Sequence, residues 1–319
     1  MRSGGADGCH GPGLSESECI LPSVALERQP PVPKILRLQP HRAMTPTLIA
    51  SSSGPRVTVY LVAYNESEKI RDALASVLWA DEIVLADSHS TDGTSEIATS
   101  MGARVVQIEF TGFGDLRNRA LEACTGDWIF SLDADERCTP EVRDEILSIV
   151  SRADALDVYR VPRRNWFMGR WIRHSGWYPN FRQPQLFRRG AMAYTLEPVH
   201  EGYRLLTDRP VGVLANAIWQ FPFRNLGEVI RKIDRYSNLG AGKVAPGEAS
   251  MGRALTSASW AFVKHIVMKR GILDGWPGFV IAFAYFEQTF YRYAKRHEQD
   301  AKWGLPVQAP IQRPDKKLS

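Results

Sequence analysis

The sequence predicts an α/β protein: a mostly parallel sheet flanked by helices, with a helical extension toward the C-terminus. Three observations predict it. From residue 57, short β-branched apolar runs alternate with segments of helical periodicity. Glycine or polar turns punctuate the alternation at Gly93, Gly102 and Gly126. Beyond about residue 225 the chain reads helical to residue 297.

The elements follow in order. Residues 57–64 are apolar and β-branched and read as a buried strand. Asn65 is expected to cap the next helix, with Glu68 as the reciprocal partner. Ile70, Ala73, Leu74, Val77 and Leu78 then keep helical spacing. A second strand, 82–87, runs into the polar turn 88–93, and a short helix stops at Gly102. Residues 104–110 read as a third strand. Leu116, Ala120, Leu121 and Cys124 mark a helix closed by Gly126, and 127–132 is a fourth strand. Thr139 followed by Pro140 opens another helix, because proline suits the first helical turn. Strand–helix alternation implies parallel strands joined by right-handed crossovers. Such sheets take ligands beyond the carboxyl ends of their strands. Asn65, Asp87 and Asp133 each fall at such an end.

Composition bounds the function. The chain has 319 residues, 44% of them hydrophobic, and a formal charge of +5. That mild basicity favours phosphates, acidic glycans or anionic membranes. Nucleic acid is not expected, since no recognition motif accompanies the charge. Cys9, Cys19, Cys124 and Cys138 have no zinc or disulfide spacing and read as free thiols in a reducing cytoplasm. Residues 1–54 are rich in Gly, Pro and Ser, carry no secretory core and are expected to be disordered, with Met44 a candidate start. The expected layout is a nucleotide-binding half at 55–150 and an acceptor-binding half at 151–225. A helical extension at 226–298 and a loose tail at 299–319 follow. No apolar run reaches the ~20 residues a membrane span needs.

Two sequence features carry chemistry. Asp133 and Asp135 flank a small residue after an apolar strand, where two carboxylates can hold a hard divalent cation, Mg or Mn, through oxygen. Asp-x-Asp is common by chance, and its place in the strand series is what raises it. Asp87 and Asp92 bracket a Ser/Thr-rich turn. Turn chemistry explains such residues in part, and a contact to base or ribose is the functional alternative.

Val-Ala-Tyr-Asn-Glu at 62–66, Asp-Ser-His-Ser-Thr-Asp-Gly-Thr at 87–94, Arg117-Asn118 and Asp133-Ala134-Asp135-Glu136 together resemble the family 2 glycosyltransferases. The resemblance implies a GT-A fold and inverting transfer from a nucleotide sugar. It assigns donor contacts to Ala63, Asn65, Glu66, Asp87, Asp92, Arg117 and Asp133, and metal and diphosphate to Asp133 and Asp135. Four later motifs are similar to the branch that glycosylates the lipopolysaccharide inner core, which includes a β-1,4-glucosyltransferase. These are Arg164–Ile172, Gly176-Trp177-Tyr178-Pro179, Leu186–Arg189 and Val199-His200-Glu201. Lys269-Arg270-Gly271 and Asp274-Gly275 fit the same branch. Two positions depart from it: Asn180 where Asp is expected and Gln185 where Arg is expected.

Inversion needs a general base for the acceptor hydroxyl. Glu201 is the first candidate, with His200 either the base instead or a further metal ligand, against the plainer possibility that Glu197, His200 and Glu201 only form a polar strand end. Residues 159–196 hold eight arginines and no Asp or Glu. Guanidinium groups read phosphate and carboxylate bidentately. Arg164, Arg170, Arg173 and Arg188, with Trp171, Trp177 and Tyr178, are therefore expected to read the acceptor, unless they only pack a subdomain. Trp166 is a further candidate for stacking on a sugar. Residues 257–297 mix apolar runs with Lys264, Lys269, Arg270, Arg292, Lys295 and Arg296. They are expected either to lie on an anionic leaflet or to pack on the domain. The expected activity is hexose transfer, from UDP-glucose, to lipopolysaccharide core at the cytoplasmic face of the inner membrane. The alternatives are a polyprenyl phosphate or other surface polysaccharide acceptor, and a non-catalytic nucleotide-sugar-binding protein.

Overall fold

The computed structural model describes residues 54–181, 183–196 and 202–301. Expectations for the N-terminal tail through residue 53, Met44, Cys9, Cys19, the tail after Ala301, Glu197, His200 and Glu201 lie outside the described residues.

The first part of the chain runs β1 (Val57–Ala63), α1 (Ser67–Ala75), β2 (Glu82–Asp87), α2 (Thr94–Ser100), β3 (Arg104–Gln107), α3 (Phe113–Ala123) and β4 (Trp128–Asp133). It closes with β5 (Glu136–Arg137) and α4 (Pro140–Val150). Then come β6 (Val158–Arg160), β7 (Arg163–Phe167), β8 (Arg170–Trp171), β9 (Pro184–Arg188) and β10 (Met192–Tyr194). β11 (Tyr203–Leu205), β12 (Gly212–Val213) and β13 (Ile218–Gln220) follow. Among the described residues seven strands form the main sheet, in the order β12-β6-β9-β4-β1-β2-β3. β1 pairs parallel with β2 and β4, and β2 with β3. β9 alone runs against its neighbours β4 and β6. A smaller sheet orders β5-β13-β7-β8.

The strand period of two splits the core. Val57, Val59, Leu61, Leu85 and Phe130 face one layer with Ile70, Leu74, Val142 and Ile146 from α1 and α4. Tyr60, Val84, Ala86 and Ile129 face the other, with Leu116 and Ala120 from α3. α4 starts as expected, the Thr139 hydroxyl accepting the Val142 N–H at 3.3 Å with Pro140 behind it. Gly102 sits at φ +86° past α2, as a terminal glycine should. Gly126 differs from expectation. It caps nothing; a Cβ there would lie 2.7 Å from Thr58 Oγ1, so it lets β4 enter beside β1. β3 is shorter than expected and leaves the sheet after Gln107.

The extension comprises α5 (Leu226–Ala241), α6 (Met251–Val263), a π-helical turn (Lys264–Met268), a 3-10 turn (Gly271–Asp274) and α7 (Trp276–Ala301). Asn225 and Ser250 cap α5 and α6 through Glu228 N–H and Arg253 N–H. The last helix continues past the expected boundary at 298. Val229, Ile233 and Ile281 pack with Phe167 and Ile172. The buried Asp274 carboxylate accepts the backbone N–H groups of Arg173 and His174, each at 3.1 Å, and the Ser175 hydroxyl at 2.8 Å. Gly278 lies so close to Gly271 that a Cβ would fall 1.8 Å from its carbonyl oxygen. The motif 269–275 is therefore a clamp between the extension and loop 172–176.

Candidate active site

Strand register assembles the site. Ala63 lies opposite Asp87, and Val62 opposite Asp133, so β1, β2 and β4 end together. The loops beyond them are cross-tied. Asn65 does not cap α1: its backbone is left-handed at φ +55°, and the cap position is Glu66, which makes no capping side-chain bond. Instead Asn65 N–H donates to Ser90 Oγ at 2.8 Å, and its Oδ1 accepts Thr91 N–H at 2.9 Å. Glu66 is half-buried and pairs with Lys69 at 3.3 Å. Asp92 reaches over from the second loop, accepting Ser67 N–H at 3.0 Å and the Thr94 hydroxyl at 2.5 Å. Desolvation raises the Asp92 carboxyl, and these bonds together outweigh it, holding it at about 2.

Asp87 is fully buried and already engaged. It accepts Ser90 N–H at 3.0 Å, Ser95 Oγ–H at 2.7 Å, Gln107 Nε2–H at 3.0 Å and the Ser90 hydroxyl. Burial pushes its carboxyl up, but the bonds prevail and hold it below the usual range. Asp87 thus ties the loop after β2 to α2 and β3.

At the end of β4 the Asp133 carboxylate takes Arg117 Nη2–H at 2.9 Å, and Arg117 also reaches Ser131 Oγ at 3.3 Å. Asn118, beside Arg117, exchanges two hydrogen bonds of 2.9 Å with the Tyr194 backbone, locking α3 to β10. Sequence reasoning quoted Glu136 but gave it no role. It is wholly buried. Its Oε2 accepts Asp133 N–H at 3.0 Å and Gln185 Nε2–H at 2.9 Å, and its Oε1 lies 2.9 Å from Arg163 Nε. Glu136 thus fixes the turn that presents Asp133 and Asp135. The departing residue Gln185 serves the same turn, donating also to Ser131 O at 3.1 Å. Asp135 is half-buried and accepts Gln220 Nε2–H at 3.3 Å. Burial and the Asp133 charge raise its carboxyl well above the usual range. Two carboxylates that each discourage the other's ionisation are what a divalent cation relieves. Among the described residues no cluster of three metal-ligating side chains occurs. Mg²⁺ and Mn²⁺ sites on nucleotide phosphates need only one or two carboxylates, so the pair fits.

The arginines and aromatics of 159–196 sort differently from expectation. Trp171 is buried, with the Arg164 and Arg173 guanidiniums 4.7 and 4.8 Å from its ring and Tyr178 edge-on at 5.2 Å. Its ring is thus spent on protein, not open to a sugar. Trp166 is likewise buried, against Trp219 and Phe221. Trp177 stays half-exposed beside Phe167 and Phe223, and Arg170 is half-buried at the β7–β8 turn. Arg188 does not join the site. Antiparallel β9 sets it opposite Trp128, at the start of β4 and ~16 Å of strand from Asp133. There it covers the Trp128 ring and pairs with Asp157. Spacing along the chain could not show this, because it depends on the direction of β9.

A family model described as glycosyl transferase family 2 matches residues 58–206 and spans the ends of β1, β2 and β4. Residues 58–206 form a family 2 glycosyltransferase domain. Its mostly parallel sheet flanked by helices is of the GT-A type. This glycosyltransferase is 28% identical over 266 residues to the lipopolysaccharide core biosynthesis glycosyltransferase LpsC of Rhizobium meliloti, covering 78% of this chain and 95% of that one. It is 25% identical over 294 residues to an uncharacterized glycosyltransferase of Rickettsia bellii, covering 81% and 96%. Glucosyl-3-phosphoglycerate synthase of Mycobacterium tuberculosis, solved with manganese and UDP, aligns at 27% identity and a TM-score of 0.32 over 35% of this chain and 45% of that one. That overlap is too partial to carry an argument.

Proposed function

We propose that this glycosyltransferase moves a hexose, from UDP-glucose, onto the core of lipopolysaccharide with inversion. The observation that carries the donor side is the Asp133–Asp135 turn, held by Glu136 at the joined ends of β1, β2 and β4. The likeness to LpsC over most of both chains supports the acceptor class. Ala63, Asn65, Glu66, Asp87 and Asp92 shape the nucleoside side. Asp133 and Asp135 would hold a divalent cation, Mg or Mn, which when bound neutralises diphosphate charge. Arg117, set against Asp133, adds a fixed positive charge beside the leaving group. An acceptor hydroxyl attacks the anomeric carbon as the bond to the diphosphate oxygen breaks. The hydroxyl proton passes to a base, which we assign to Glu201 and, failing that, His200, on their motif alone. Arg164, Arg170, Arg173, Trp177 and Tyr178 remain the acceptor-side assignment. The test is a donor screen with divalent metal and truncated lipopolysaccharide, read by product mass. No sugar added from any nucleotide donor would sink the reading. A Glu201→Gln chain that still transfers at the wild-type rate would move the base to His200.

We place the enzyme peripherally on the anionic cytoplasmic face of the inner membrane. Among the described residues no helix is long and apolar enough to cross a membrane. Trp260, Val267, Met268, Ile272, Leu273 and Trp276 are each 58–68% exposed around the turns that join α6 to α7. Lys264, Lys269 and Arg270 flank them, and between residues 249 and 286 the single acidic residue is Asp274, which is buried in its clamp. Apolar side chains with interfacial tryptophans, a basic collar and no exposed carboxylate suit an anionic lipid surface.

A further inference from the structure

A cavity of about 420 Å³ opens between β7, β13 and the helices α5 and α7. That lies in the range of small-molecule sites, roughly 300–1,000 Å³. Most of its lining comes from beyond residue 206, outside the stretch that the family model matches. Yet it adjoins the site. Gln220, in its wall, donates to Asp135 Oδ2 at 3.3 Å and stands beside Asn165 in the small sheet.

Its chemistry is specific. Four amide side chains line it: Asn165, Asn180, Gln220 and Gln288. Among the described residues Asn180 and Gln288 make no hydrogen bond to protein, while Asn165 Nδ2–H is spent on Trp177 O at 2.7 Å. Trp177, Phe223, Tyr236 and Tyr285 supply aromatic surface. Among the described residues no carboxylate lines it, and Lys232 is the one cation in the lining, its Nζ 4.8 Å from the Phe223 ring. A pyranose ring offers an apolar C–H face and a rim of vicinal hydroxyls. Aromatic walls meet the first, and amides, each both donor and acceptor, meet the second. An acyl chain would leave the Asn180 and Gln288 amides dry and unpaired, which is costly. A phosphate would find a single cation.

We propose that this cavity is the acceptor subsite, seating one pyranose ring of the glycan that receives the transferred sugar. The proposal rests on the glycosyl-transfer reading above and adds to it that the helical extension, not the family domain alone, selects the acceptor. Asn180, the departure from the expected Asp, then sits where an uncharged amide tolerates an acidic neighbour on the acceptor.

The test uses the full chain with UDP-glucose, divalent metal and deacylated lipopolysaccharide core oligosaccharide. Asn180→Ala, Gln288→Ala and the cavity-filling Ala284→Phe are compared with wild type. The acceptor KM is expected to rise about tenfold in each. Donor KM and release of UDP into water should stay within about twofold. Unchanged acceptor KM in both amide variants overturns the proposal, whether or not Ala284→Phe folds. Should the wild type transfer to no saccharide, the functional reading falls first. The cavity is then judged by saturation-transfer NMR with the same oligosaccharide, where a signal lost in Asn180→Ala upholds it and no wild-type signal overturns it. Saturation transfer to dodecanoate without one to the oligosaccharide would give the cavity to an acyl chain.

Discussion

Replacing Asp274 by alanine removes one carboxylate and strands three donors: Arg173 N–H, His174 N–H and the Ser175 hydroxyl. A buried donor left unpaired costs about 1–3 kcal/mol. Arg173 and His174 are only half-buried, so water recovers part of the loss, whereas Ser175 is fully buried. Taking the low end for each gives about 3 kcal/mol. For a chain of this size that lowers Tm by roughly 4–6 °C. Asp274→Asn keeps one acceptor oxygen and should lose about half as much. Differential scanning calorimetry measures the shift. Limited proteolysis adds a second readout, with new cleavage expected in 172–176 as the extension undocks. A Tm for Asp274→Ala within about 2 °C of wild type would refute the clamp.

Glu136→Gln leaves the Arg163 guanidinium buried without its counter-charge and should cost about 3 kcal/mol or more. Because the Asp133 N–H also loses a charged acceptor, transfer should fall more than stability alone explains, which kcat of the fraction shown to be folded measures. Acid stability should depend on Glu82. Burial raises its carboxyl, but bonds from Thr58, Arg104 and Thr125 outweigh that and hold it at about 2, below its ordinary value. A depressed carboxyl stabilises above its unfolded pKa of ~4.3, and that stabilisation fades as pH falls toward its folded value. Urea midpoints taken across that window should drop less steeply for Glu82→Gln than for wild type, and parallel curves would remove Glu82 from the account. Changing Lys264, Lys269 and Arg270 to Gln together should weaken binding to vesicles rich in phosphatidylglycerol by roughly 100-fold, at ~1 kcal/mol per cation. Neutral vesicles should be bound equally by both chains, and equal binding to anionic vesicles would count against the membrane surface.

The chain by itself determined the ends of β1, β2 and β4. β1, β2 and β4 are buried on both faces, so their sequences are near-continuous apolar runs, and the polar residue that ends each run is conspicuous. That is why Asn65, Asp87 and Asp133 could be read off, as could the cap at Thr139. Their partners could not. Asn65 looked like a cap because capping is local, whereas its bonds to Ser90 and Thr91 cross 25 and 26 residues. Glu136 and Asp274 are carboxylates of ordinary type, and only burial against Arg163 and the 173–175 backbone gives them their work. The arginines and tryptophans of 159–196 pointed to an acceptor by composition. The antiparallel course of β9 carried Arg188 away, and packing buried Trp166 and Trp171. Gln220 and Gln288 gave no signal at all, yet α7 and β13 bring them to one cavity beside Asp135. Periodicity and strand ends are local and survive in sequence. Strand direction, helix docking and the desolvation of a charge depend on neighbours distant along the chain, and only the tertiary structure decides them.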